Sequence, residues 1–173
     1  MRLGLDEVGV TELVGVTEHT RALATTAAAL LLDSLEAERG LIPPLDPATA
    51  SGEVRTLLDE IRRWSHEAMG REGVPVLWRI LARNPHHLES TWRKETVVMA
   101  DGALSAQDKR RTALGVAMAV RARYLIEYTT AILRHAGDTD RDILEILGVV
   151  DHYTTLNTLS EAMQIESDIR PPG

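Results

Sequence analysis

Leu104-Ser-Ala-Gln-Asp-Lys-Arg-Arg-Thr-Ala-Leu-Gly-Val-Ala-Met-Ala-Val-Arg-Ala-Arg-Tyr-Leu-Ile-Glu-Tyr-Thr-Thr-Ala-Ile-Leu-Arg-His-Ala-Gly137 decides how this chain folds. Ser105 suits a helix N-cap, and Asp108 three residues on gives a capping-box-like start with an acid near the positive helix end. Leu114, Met118, Tyr124, Leu125, Tyr128, Ile132 and Ala136 recur mostly at three- and four-residue steps, the pattern of one buried stripe. Arg134 and His135 suit the negative end, and Gly137 supplies a left-handed stop. The stretch predicts a single central helix over 105–136, roughly 45 Å long, along which the other elements pack.

Working outward, helical periodicity predicts elements over 6–16, 17–38, 51–69, 76–83, 86–99, 139–148 and 150–164. Leu41-Ile-Pro-Pro-Leu-Asp-Pro47 reads as a stiff connector, and Asn84-Pro85 as a cap followed by proline at the first helical position. No alternating strand pattern stands out, so the expected class is all-α. The expected organisation is an N-terminal helix pair over 1–40 packed on a helical domain over 41–166, with 167–173 as a tail. The 173 residues allow one sizeable core, and with no Phe that core is aliphatic. A net charge of −7 argues against nucleic-acid and anionic-membrane partners, which need a basic face. Absence of cysteine removes any thiol nucleophile, disulfide or thiolate metal site. No apolar run is long enough to span a bilayer and no signal peptide opens the chain, so a cytoplasmic location is expected.

The two ends repeat at an offset of 133 residues. Gly4, Glu12, Gly15, Val16, Glu18, His19, Leu23, Thr25, Ala29 and Leu30 fall on Gly137, Glu145, Gly148, Val149, Asp151, His152, Leu156, Thr158, Ala162 and Met163, eight of the ten being identical. A partial copy cannot close its own core and must pack on the complete copy or on another subunit.

Ala82-Arg-Asn-Pro85 with Leu88 and Trp92, Leu104-Ser105, Tyr124, Gly137 and the run Ile143 to Met163 carry a resemblance to the alkylhydroperoxidase D / carboxymuconolactone decarboxylase superfamily over residues 42–165. Residues 46–58, Leu81-Ala82, Pro85 and 159–164 also resemble the helical 2-haloacid dehalogenases, which share a tandem half-repeat. The resemblance implies a multi-helix bundle and a small-molecule site beside the central helix. The family's Cys-x-x-Cys falls on Ala122 and Leu125, its histidine on Thr129 and its proton-relay glutamate on Arg110. Thiol–disulfide peroxidase chemistry needs thiolates and is therefore not expected. The dehalogenase carboxylate falls on Leu77, and its companion amide on Val149 or Val16.

What polar chemistry remains suggests Glu127, Tyr124, Tyr128 and Arg110 as catalytic candidates, a carboxylate for proton transfer and phenols for a developing oxyanion. Thr129, Ala122, Leu125, Trp78, Trp92 and His152 are the candidate substrate-binding residues. The Glu145/His152 and Glu12/His19 pairs have ligand chemistry suited to zinc or iron, but Gly148 is expected to interrupt the helix between Glu145 and His152, and neither a metal nor another cofactor is assigned. The reading is a cofactor-independent enzyme of the lyase, isomerase, cyclase or hydrolase type, acting on a small molecule within a homo-oligomer, dimer or higher. The alternative is a non-catalytic ligand-binding or structural scaffold.

Overall fold

A computed structural model describes residues 5–37 and 40–165; the expected tail over 167–173 lies outside them. Among the described residues the chain is all-helical, as expected, in the order α1 (Glu7–Ala29), a short 3-10 turn (Pro47–Thr49), α2 (Gly52–Met69), α3 (Val76–Leu81), α4 (Pro85–Val98), α5 (Ala106–Ala119), α6 (Arg123–His135) and α7 (Asp140–Ala162). None of these helices is long and apolar enough to cross a membrane.

The expected helix over 105–136 is two helices. α5 begins at Ser105, whose hydroxyl accepts from the Asp108 N–H, as expected. It stops at Val120, where Arg121 turns left-handed (φ 57°). Arg121 N–H then bonds Met118 O, and Ala122 N–H bonds Ala117 O at 2.9 Å, the paired bonds that close a helix C-terminus. No glycine or proline marks the break. The reversal packs α6 back along α5, buries Tyr124, Leu125, Tyr128, Thr129, Ile132 and Leu133, and makes this hairpin the centre of the molecule.

The two ends correct the sequence reading in the opposite sense. The expected pair over 6–16 and 17–38 is the one helix α1, ended by a left-handed Leu31 (φ 58°). The expected pair over 139–148 and 150–164 is the one helix α7, which runs straight through Gly148. The interior cost of a glycine, about 1 kcal/mol, is too small to stop a helix by itself. Gly70 does end α2, in the left-handed conformation (φ 63°), and Asn84 caps α4 ahead of Pro85.

α1 packs on α4, α5 and α6, while α2 and α3 close the other side of α6. The main core joins Leu23 and Ala27 of α1, Leu58 and Ile61 of α2, Trp78 of α3, Trp92 of α4 and Tyr128 of α6. α7 lies against α5, where Ile146 and Val150 sit over Gly115. From Asp151 to Ile165 every residue is exposed.

Candidate functional site

α4 places a carboxylate on its apolar stripe. Leu88, Trp92, Glu95 and Met99 follow one another at steps of four, three and four, so Glu95 points inward with its hydrophobic neighbours. It is 1% exposed. Two elements answer its charge. His19 of α1 lies with Nε2 2.7 Å from Glu95 Oε2, and Arg110 of α5 lies with Nη1 2.7 Å from Glu95 Oε1. Burial alone would push the Glu95 carboxyl upward; the Arg110 charge and the His19 hydrogen bond outweigh it and hold the group at about 2. Glu95 is thus an anion with acceptor capacity alone, so the His19 nitrogen facing it is the donor.

An aromatic layer surrounds this ionic chain. Trp78 and Trp64 each meet Trp92 edge-on, at 5.2 and 5.4 Å between centroids, and Tyr128 stacks on Trp64 at 5.9 Å. The Arg110 guanidinium lies 5.6 Å from the Trp64 ring, a cation–π contact. The buried Tyr128 OH and Trp78 Nε1 face one another, outside good hydrogen-bond geometry. Ser65 Oγ and Thr20 Oγ1 are also buried without a side-chain or backbone partner, and Glu95 Oε1 meets Arg110 as an ion pair. A buried polar atom left without a partner costs of order 1–3 kcal/mol. Burial, reinforced by the neighbouring Glu95 charge, raises the Tyr128 phenol well above its ordinary value, so it stays a neutral donor.

The sequence candidates divide over this geometry. Arg110, Tyr128, Trp78 and Trp92 come together in the layer. Tyr124 stacks on Tyr128 at 6.0 Å, and its OH accepts from the Leu77 N–H at 3.4 Å. Thr129 and Leu125 are buried on α6, and Ala122 is its half-buried N-cap. Glu127 does not join the phenols: it sits a third of a turn away and accepts from the Leu35 N–H at 2.9 Å. There it lines a groove of about 440 Å³ with Arg71, Arg123 and Arg134. A neighbouring groove of about 590 Å³ shares Leu35 and Arg71 and has Ser65 and Val76 in its wall. His152 stands apart, exposed on the free half of α7 beside Tyr153, because α7 runs past the end of its contact with α5.

The two pairs considered for a metal do not converge. Glu12 accepts from the Ala103 and Leu104 N–H groups and pairs with Lys109, whereas His19 turns to Glu95. Glu145 pairs with Arg141 in the following copy. Among the described residues no group of three or more His, Asp or Glu gathers in metal-binding geometry. Sequence reasoning noticed His19 for another role and missed Glu95, although a carboxylate in step with Leu88 and Trp92 was a readable signal.

The class these observations define is a helical bundle with an ionic chain buried behind its central hairpin. A model described as the carboxymuconolactone decarboxylase family matches residues 85–165. The solved structure of an alkylhydroperoxidase AhpD core from Rhodospirillum rubrum ATCC 11170 is similar at 31% identity and a TM-score of 0.66, over 73% of this chain and 93% of that one. No curated protein matches the chain. The chain belongs to the alkylhydroperoxidase D / carboxymuconolactone decarboxylase-like helical superfamily.

Proposed function

We propose that this chain is a small-molecule enzyme of the acid–base type, a lyase, isomerase, cyclase or hydrolase that works without thiols or a cofactor. The observation that carries the reading is the buried His19–Glu95–Arg110 chain with the buried Tyr128 hydroxyl beside it. Arg110 is the position that aligns with the superfamily's proton-relay glutamate, so a charged relay persists there with its residues exchanged. Glu95 fixes the His19 proton, and His19 exchanges protons with the reacting group. Tyr128 donates to a developing oxyanion. Trp78, Trp92, Leu125 and Thr129 form the walls around Tyr124 and Tyr128, and Ala122 the near end of α6.

Glu127 acts from the grooves. Its bond to Leu35 positions the 33–37 segment that both grooves share. Arg71, Arg123 and Arg134 favour substrates that carry a carboxylate. The carboxymuconolactone decarboxylase name of the matching family favours the same chemistry, proton transfer on a carboxylated lactone or a related carbon acid. The reading also includes assembly into a dimer or higher oligomer, which would cover exposed apolar residues outside the repeated face of α7, such as Val8 and Val97.

The test is a panel of carboxylated lactones and 2-oxo acids incubated in D2O, with proton exchange and turnover followed by NMR. The natural chain should turn over or exchange at least one class, and Tyr128→Phe should lower that rate at least about tenfold with an unchanged circular dichroism spectrum. Equal rates for the two proteins would contradict the role of the hydroxyl, and inactivity across the panel would favour a ligand-binding scaffold.

A further inference from the structure

α1 shows what the repeated sequence is for. Glu12, Val16, His19, Leu23 and Leu30 follow at steps of four, three, four and seven and form one face of the helix. Val16 is 0% exposed, His19 1% and Leu23 4%, all against the surface that α4 and α5 offer to α1. Three polar contacts fix the register. The Glu12 carboxylate takes the Ala103 and Leu104 N–H groups and the Lys109 ammonium. Glu18 pairs with Lys94, and His19 pairs with Glu95. Gly102 makes the first of these possible, since a Cβ there would collide with the Glu12 carboxylate.

α7 carries the same face at the same spacing: Glu145, Val149, His152, Leu156 and Met163, with Asp151 where α1 has Glu18. This is not the face α7 uses on α5, which is led by Ile146 and Val150. The repeated face is bare, with Val149 57% exposed, Leu156 43% and Met163 69%. So the described residues hold two helices with this face and one α4–α5 surface to receive it, and α1 already occupies that surface.

We infer that the bare face of α7 docks on a second helical body of the same build, one whose α4–α5 surface is not covered by an α1 of its own. The partner's chemistry follows from the contacts of α1. It offers two turn N–H groups and a lysine to Glu145, a buried carboxylate to His152, and a basic side chain to Asp151. The receiving surface includes the Glu95 carboxylate that the acid–base reading also uses, but the readout below is a complex between chains and not turnover, so the two fail separately.

The α4–α5 surface of this chain, opened, serves as the probe. A copy carrying Val16→Asp and Val149→Asp has a released α1 and a disabled α7, so it offers an open α4–α5 surface and no face to donate. Mixed with the natural chain at 50 µM, it should give a 1:1 complex by sedimentation velocity, whereas neither protein forms that complex alone. Replacing the natural chain with its Val149→Asp variant should abolish the complex, and His152→Ala should weaken it at least tenfold. The chain has no cysteine, so Lys94→Cys in the opened copy and Asp151→Cys in the natural one should form a disulfide between the two chains, while Arg141→Cys should not. Absence of both the complex and the disulfide, with the opened copy still helical by circular dichroism, overturns the inference. If Val16→Asp destroys the helical signal, the opened copy is made with His19→Ala instead, and the same two outcomes decide. Self-association of the natural chain that survives Val149→Asp would preserve an oligomer while removing this contact.

Discussion

α1 and α7 are each 23 residues long and carry the same residues on one face, yet one is sealed into the molecule and the other stands open. The difference is not in the helices. It lies in what each meets: α1 lies across α4 and α5, while α7 lies along α5 through a different face and runs past it. The same amphipathic pattern therefore specifies a surface without specifying whose surface covers it. Helix formation is likewise decided at the level of packing, because an exposed segment the length of 151–165 is marginal in water by itself.

Charge substitutions break the comparison most sharply. Val16→Asp buries an unpaired carboxylate and should cost at least about 4 kcal/mol in urea unfolding, whereas Val149→Asp should stay within about 0.5 kcal/mol. Next come the histidines. His19→Ala leaves Glu95 buried with one fewer partner and should cost about 3 kcal/mol, against almost nothing for His152→Ala.

The third expected effect is on pH. Glu95 is held at about 2 in the folded chain against an ordinary 4.5. A depressed carboxyl contributes stability that is fully present above the unfolded value and lost as pH falls through the folded one. Stability should thus drop by a few kcal/mol between roughly pH 5 and pH 2, and Glu95→Gln should flatten that limb while lowering stability at pH 7. Smallest is Glu12→Gln, which weakens the hold on the Ala103–Leu104 turn and should lower the melting temperature by about 3 °C, with no change for Glu145→Gln.

The fold class was legible because helical periodicity is long-ranged and redundant: α2, α4 and both halves of the central hairpin each announce themselves. The chain reversal at Arg121 was not, because alanine, valine and arginine fit a helix as well as a stop, and tertiary packing of α6 on α5 made the choice. Gly148 misled in the other direction, as a glycine that packing overrides. Among the candidate residues, Arg110 came from its alignment with the family's relay position and Tyr128 from its place one turn after Tyr124 on the same helix. Glu95 and His19 meet across 76 residues, a pairing that no local pattern encodes. Glu127 was placed with the phenols by proximity in sequence, and the turn of the helix separates them.

Amide hydrogen exchange of the natural chain in dilute solution tests most directly whether one face is held and its copy is not. Amides from Val16 to Ala27 of α1 should exchange only through global opening, while those from Asp151 to Ala162 of α7 should exchange orders of magnitude faster. Equal protection of the two segments would contradict the account, since it would mean that α7 is as firmly seated as α1 without a second body.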